Sequence, residues 1–434
     1  MNNSNKWRQK LHIEPPNGWM NDPNGLSYFN GHYHVYFQYS PDSAVGAGDR
    51  GWGHYEGEDL LHWRFTGFLI RPDITEDRSG AFSGSAVVHD NKLHIFYTGN
   101  VEEEGYDLIK EGRGANVIRM ITENGQDMGE KQVLLRNADY PGFCSCHVRD
   151  PKVWQENGKW RMVLGARTLS DEGCVLYYSS EDLGHWVYDG CENVPDHGYM
   201  WECPDRFTLD GHDYLSISPQ GIPQQSKRYQ NTYHSGYFHA DNGLSEFEEW
   251  DYGFDFYAPQ TFLAPDGRRI LFGWMGGGDQ PYTNPTIQLG WQHCLTLPRE
   301  ITRAEDGQLL QNPVKEMDTL RGEKLRNTDM LPLPCDIIAE TPQEFSLTLG
   351  QLKLSYAEDL FTMEFTDSAF GAGRTTRFTR LDDCRDIRII ADTSSIEVYL
   401  DGGRRVLSTR SYPEGECISA EFSGISPLIF PLNI

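Results

Sequence analysis

Five times in its first 275 residues the chain sets a two-residue turn between two short apolar strands, and no other feature limits its possible folds as tightly. The turns are Asn30-Gly31, Asp90-Asn91, Asn157-Gly158, Asp210-Gly211 and Asp266-Gly267, whose first residues lie 60, 67, 53 and 56 positions apart. Asn-Gly and Asp-Gly accept the positive φ angles of type I′-like turns, which match the twist of paired strands. Each interval has room for a four-stranded unit with a loop insertion. A second echo supports the repeat: Gly57-Glu58-Asp59-Leu60-Leu61-His62-Trp63 resembles Ser180-Glu181-Asp182-Leu183-Gly184-His185-Trp186, each after the hairpin of its own unit. Five such sheets set radially make a five-bladed β-propeller around a central channel. An all-β propeller is therefore expected over residues 1–300.

Beyond residue 300 the pattern changes. A polar linker, helical in character at 314–325, is expected over 301–328, and alternating strands over 329–434 read as a small C-terminal β-sandwich. Asp392 and Glu397 stand in that strand text without a partner motif and are expected to serve solvation or interdomain contact.

Charge narrows the function classes. The 434 residues carry 38 Lys and Arg against 64 Asp and Glu, a formal net charge of −26. Nucleic acid and anionic membrane both need concentrated positive surface, so neither is an expected partner; a neutral small molecule fits better. The N-terminus, Met1-Asn2-Asn3-Ser4-Asn5, has no apolar leader, and no run of eighteen apolar residues occurs. With nine Cys, an odd number, this predicts a soluble cytoplasmic protein with reduced thiols. Cys144-x-Cys146 lacks zinc-site spacing, and it reads as structural, as do the strand histidines His32 and His34. No metal and no cofactor is implied.

The chemistry lies in the residues ahead of the hairpins. Before each first strand stands one motif: Asn21-Asp22-Pro23, Phe82-Ser83-Gly84-Ser85, Arg149-Asp150-Pro151, Trp201-Glu202-Cys203-Pro204 and Phe256-Tyr257-Ala258-Pro259-Gln260. From Asp22, Ser83, Asp150, Glu202 and Tyr257 to the following turn is 8, 7, 7, 8 and 9 residues. If every first strand is the innermost, all five motifs share one mouth of the channel and three carboxylic acids converge there. Hydrolysis of an acetal needs such a set, one acid to protonate the leaving oxygen and a second carboxylate to attack or to activate water. Metal binding by the same acids has no supporting motif, and neither a nucleophile elbow nor a P-loop occurs. Trp19, Trp201, Tyr257 and Trp274 are candidates either for stacking on sugar faces or for core filling.

Taken together, Trp19-Met20-Asn21-Asp22-Pro23-Asn24-Gly25 and the four later motifs resemble glycoside hydrolase family 32, the β-fructofuranosidases, along almost the whole chain, the sandwich included through Asp392 to Val398. Ser218-Pro219-Gln220-Gly221, Tyr229-Gln230-Asn231 and Ser235-Gly236-Tyr237 look most like its bacterial sucrose and sucrose-6-phosphate hydrolases. The resemblance implies a retaining double displacement in which Asp22 attacks the anomeric carbon of fructose, Glu202 is acid and then base, and Asp150 holds fructose hydroxyls. It also implies substrate contacts from Asn21, Gln38, Trp52, Phe82, Ser83, Arg149, Tyr257 and Trp274. Transfer of fructose to another sugar at the same site, or a non-catalytic sugar-binding propeller, are the alternatives. Sucrose, sucrose 6-phosphate and short fructo-oligosaccharides remain open as substrates: Lys227 and Arg228 serve either a phosphate or solvation, and the loop 41–50 is expected to shape the leaving-group side.

Overall fold

The computed structural model describes residues 6–326 and 329–434. The first five residues and the last two of the expected linker, 327–328, lie outside the described residues. Regular structure among the described residues is all strand and short 3-10 turns. No helix is long and apolar enough to cross a membrane.

Five successive sheets fill the first three quarters of the chain. The first pairs Gly18–Phe29, His32–Ser40, Gly51–Gly57 and Arg64–Ile70; the second starts at Gly80–His89, the third at Cys144–Glu156, the fourth at Met200–Leu209 and the fifth at Tyr257–Leu263. In each, the strands follow one another in antiparallel order from that first strand outward. The fifth sheet is completed by Arg299–Arg303 and Leu309–Pro313, so it runs into residues expected to form the linker. Of the expected helical stretch, Lys315–Leu320 is a 3-10 turn.

Polar side chains tie each first strand to the next. The Gly84 N–H donates to Asn24 Oδ1 at 3.1 Å and the Ser85 hydroxyl to Pro151 O at 2.8 Å. The Cys203 N–H donates to Asp150 Oδ2 at 2.9 Å and the Thr261 N–H to Asp205 Oδ2 at 2.6 Å. The fifth sheet meets the first through Trp291-Gln292, which runs parallel to Gly18-Trp19, and through an apolar cluster containing Met20, Leu26, Phe262 and Phe272.

Four of the five hairpins have positive φ at both turn residues, at 30–31, 90–91, 157–158 and 210–211, as type I′ requires. The fifth departs from the expected I′-like form. Pro265 fixes a negative φ, so a turn at 264–267 closes with Gly267 N–H on Ala264 O at 3.0 Å, and Gly267 alone, φ 87°, takes up the reversal. The echoed Glu-Asp-Leu segments are paired turns: Asp59 Oδ1 accepts the N–H groups of Leu61 and His62, and Asp182 Oδ1 those of Gly184 and His185.

After residue 329 two further sheets, of six and five strands, share one core, with Leu347, Leu354, Phe361 and Met363 from one and Ile337, Ile389, Val398 and Leu407 from the other. This unit is bound to the earlier sheets by buried charge. His12 lies between Asp392 (Nδ1 to Oδ2 2.9 Å) and Glu397 (Nε2 to Oε1 3.0 Å), and Arg299 donates to Glu397 and Asp251. Arg374 grips Asp255, two residues before Tyr257, at 2.7 and 2.9 Å. Of the two roles open to Asp392 and Glu397, the structure gives interdomain contact.

Candidate active site

Every first strand carries one residue too many at its motif. Met20 to Pro23 spans three steps opposite two on the partner strand, and so do Arg149 to Lys152, Glu202 to Asp205 and Tyr257 to Gln260; Phe82 to Gly84 spans two opposite one. A single-residue bulge of this kind bends a strand and re-aims a side chain. In three sheets the residue before the proline is left-handed: Asp150 (φ 63°), Cys203 (φ 47°) and Ala258 (φ 50°). Proline has no N–H, so it suits the position that the bulge leaves without a ladder bond.

These bulges bring side chains from all five sheets together. Asp22 is partly exposed; its Oδ2 accepts the Ser83 hydroxyl at 2.5 Å and its Oδ1 an N–H of Asn21 at 3.1 Å. Asn21 in turn donates to Gln38 at 2.7 Å and accepts the Trp19 indole N–H at 2.8 Å, which fixes its orientation. Burial pushes the Asp22 carboxyl above its usual range and nearby Glu202 adds to this, while the Ser83 and Asn21 hydrogen bonds pull it down. Asp150 is pushed up to about 7 by burial, against the pull of Arg149.

Glu202 is held from both sides. Its Oε1 accepts from Arg149 Nε and Nη2 at 3.1 and 2.7 Å, and its Oε2 from Gln220 Nε2 and the Tyr257 hydroxyl, both at 2.7 Å. Arg149 also lies 3.9 Å from Asp150. Burial opposes the Arg149 charge, but Glu202 and Asp150 hold its pKa above the ordinary value. Tyr257 OH stands 3.2 Å from Ser218 O as well, so it has two acceptors within reach.

The expected contacts divide by environment. Asn21, Gln38, Ser83, Arg149 and Tyr257 bond directly to the three carboxylates or to a residue that does. Phe82 is partly exposed, and Trp274 packs against Trp19 and Tyr257. Trp52 is fully buried between Tyr36 and Tyr97 and donates to Phe82 O at 2.9 Å, which places it behind the site. Trp201, a stacking candidate, is a core residue whose indole donates to His197 O. Arg228 is spent on Glu246, Phe247 O and the Tyr229 ring.

Two residues that the sequence did not single out belong to the cluster. Gln220 holds Glu202, and Cys203, the bulged residue of the fourth sheet, sets its sulfur 3.5 Å from Asp22 and 3.6 Å from Asp150. Burial, with both carboxylates beside it, pushes that thiol well above its usual pKa. The signal for Cys203 was its offset: seven residues before Asp210, the spacing of Ser83 and Asp150.

This set, three carboxylates from three sheets with a cation and neutral donors between them, has the chemistry that acetal hydrolysis calls for: carboxyl groups that can attack, protonate and face positive charge. The profile of the glycosyl hydrolases family 32 N-terminal domain matches residues 12–313, and that of the family 32 C terminal matches 350–426. The chain is 38% identical to the sucrose-6-phosphate hydrolase of Bacillus subtilis over 95% of its own length and 90% of that protein. It is 36% identical to the raffinose invertase of Escherichia coli, covering 95% and 91%. Among solved structures, a sucrose-6-phosphate hydrolase from Lactobacillus gasseri superposes with TM-score 0.88 at 28% identity, covering 98% of this chain and 93% of that one. A β-fructofuranosidase of Bombyx mori, as an Asp-to-Ala mutant in complex with sucrose, superposes with TM-score 0.84 at 28% identity, covering 99% and 94%. Motifs, architecture and both profiles agree: the chain belongs to glycosyl hydrolase family 32.

Proposed function

We propose that the protein is a β-fructofuranosidase that releases fructose from sucrose or sucrose 6-phosphate with retention of configuration. One observation carries the reading: Asp22, Asp150 and Glu202, from the first, third and fourth sheets, are joined through Cys203 and Arg149 into one cluster. The activities named for the relatives support it, as does the sucrose complex of the Bombyx mori enzyme.

In the first step the Asp22 carboxylate attacks the anomeric C2 of the fructosyl unit. The bond from C2 to the glycosidic oxygen breaks, and that oxygen takes the proton of Glu202. An ester between Asp22 and fructose results. In the second step water attacks C2, Glu202 takes its proton and Asp22 leaves. Asp150 faces the positive charge that develops on the ring, and Ser83 and Asn21 hold the two oxygens of the nucleophile. Glu202 thus alternates between acid and carboxylate, and Tyr257 can follow it: its hydroxyl donates to Oε2 of the carboxylate or turns to Ser218 O when Glu202 carries the proton that the leaving oxygen takes.

The remaining expectations fit the same reading. Five sheets linked first strand to first strand support a five-bladed propeller with the site at one mouth. The last bonded strand of the fifth sheet supports moving the boundary expected at residue 300 to near Pro313, and the shared core of the two later sheets supports a β-sandwich. Nine free thiols support a cytoplasmic setting. The test is fructose release from sucrose by wild type and Asp22→Asn. The substitution is expected to lower turnover at least about 10³-fold with the circular-dichroism spectrum unchanged. Turnover that survives Asp22→Asn, or no fructose from wild type on either sugar, overturns the reading.

A further inference from the structure

The loop 41–50 joins the second and third strands of the first sheet and ends at Arg50. Its tip, 47–49, is exposed, and Arg50 is partly buried beneath it. The guanidinium lies 5.7 Å from the centre of the Phe82 ring and donates from Nη2 to Gly46 O at 2.9 Å. A Cβ on Gly46 would stand 3.1 Å from that nitrogen and 3.2 Å from the Trp19 indole, so Arg50 and Trp19 both pack on Gly46, and Asp22 is close enough for its charge to act on Arg50.

The pairing of this cation differs from that of its neighbours. Arg149 is neutralised by Glu202, and Arg113 by Glu102 at 2.9 Å. Arg50 has no ion pair among the described residues; the carboxylates that act on it, Asp22 and then Glu102, do so from a distance. Burial meanwhile works against its charge and lowers its pKa. One of its five N–H groups is used, and its Nε and Nη1 are not among the buried polar atoms left without a partner, so they open outward. A half-buried, unpaired guanidinium with a free fork that still reaches solvent is suited to take an anion.

Position identifies the anion. On the fructosidase reading C2 lies over Asp22, and the loop, whose Val45 lines an open cavity together with Trp19, is expected to border the leaving sugar. A chain of net charge −26 repels a phosphorylated substrate at long range, so selecting one requires a local cation. Arg228, the other candidate, is already engaged. We propose that Arg50 is the specificity residue for a phosphate monoester on the leaving sugar, so that the site selects sucrose 6-phosphate over sucrose. The inference rests on the fructosidase reading.

The test is kcat/KM for fructose release from sucrose 6-phosphate and from sucrose by wild type, Arg50→Gln and Arg50→Lys. Wild type is expected to favour the phosphorylated sugar. Arg50→Gln should cut the ratio of the two values at least about tenfold, mainly through KM, and Arg50→Lys, which keeps the charge but not the fork, should retain part of it. With sucrose as substrate, glucose 6-phosphate should inhibit wild type more strongly than glucose does, and Arg50→Gln should erase the difference. A ratio unchanged by Arg50→Gln, an equal fall on both sugars, or a wild type that prefers sucrose overturns the proposal. No fructose from either sugar overturns the fructosidase reading itself.

Discussion

His12 should make the stability of this protein fall on the alkaline side. Its two ring nitrogens face Asp392 and Glu397, and all three side chains are fully buried. Asp392 also accepts backbone N–H groups of Leu11 and Thr393, and Glu397 accepts from Arg299, Leu297 N–H and the Tyr399 hydroxyl. Burial works against the imidazolium, but hydrogen bonds and attraction from the two carboxylates outweigh it and raise the His12 pKa from 6.5 to about 9. Because the folded value lies above the unfolded one, the contribution is complete below pH 6.5 and is lost as pH rises through about 9. Each pH unit in that window is worth about 1.4 kcal/mol, so the loss amounts to at most about 3 kcal/mol. A neutral imidazole has one N–H for two carboxylates, which leaves one of them without its donor. In His12→Gln the charge is absent at every pH, and the variant should be less stable than wild type at pH 6 by about 3 kcal/mol. Urea or thermal unfolding of both proteins from pH 6 to 9.5 measures this difference, which should shrink as wild type loses its proton. A difference that stays constant across the window refutes the argument.

Two further outcomes follow from the site. Ser83→Ala removes a hydrogen bond that lowers the pKa of Asp22, and the nucleophile must be ionised; the acid limb of kcat/KM for sucrose should move to higher pH, and a limb that stays or moves down contradicts the assignment. Thiol titration of the native protein should label Cys191 and Cys417, the two exposed cysteines, quickly, with all nine reacting after denaturation. Cys203 among the fast thiols would contradict its buried place between Asp22 and Asp150.

Much of the architecture was legible because its strands advertise their turns. Asn-Gly, Asp-Asn and Asp-Gly turns 53 to 67 residues apart announced the five sheets, and the pattern changes near residue 300. The boundary was less visible. The outer strands of a sheet, such as Arg299–Arg303 and Leu309–Pro313, carry short polar text that reads as linker until their partners are known. Long-range charge was also hidden: His12, Arg299 and Glu397 lie hundreds of residues apart or in unrelated motifs, and only folding shows that they share one buried cluster.

The three carboxylates were found by their distance from the hairpins, yet across the five motif residues that distance varied from seven to nine, and the bulge accounts for part of the spread. Asp150 and Cys203 are matching bulge residues, both left-handed and both followed by proline, seven positions before their turns. By that alignment Glu202 stands one residue earlier than Asp150, and Tyr257 one earlier than Ala258. Glu202 and Tyr257 therefore share a phase with Arg149 rather than with Asp150, and these three are the groups that meet: Arg149 and Tyr257 both bond to Glu202. Asp22, Ser83, Asp150 and Cys203 form the other set, bonded among themselves at Asp22 and Asp150. One extra residue per strand thus sorts neighbouring side chains into two groups. The first holds Glu202, the proposed acid, among donors, and the second places Asp22, the proposed nucleophile, near Asp150 across the Cys203 sulfur.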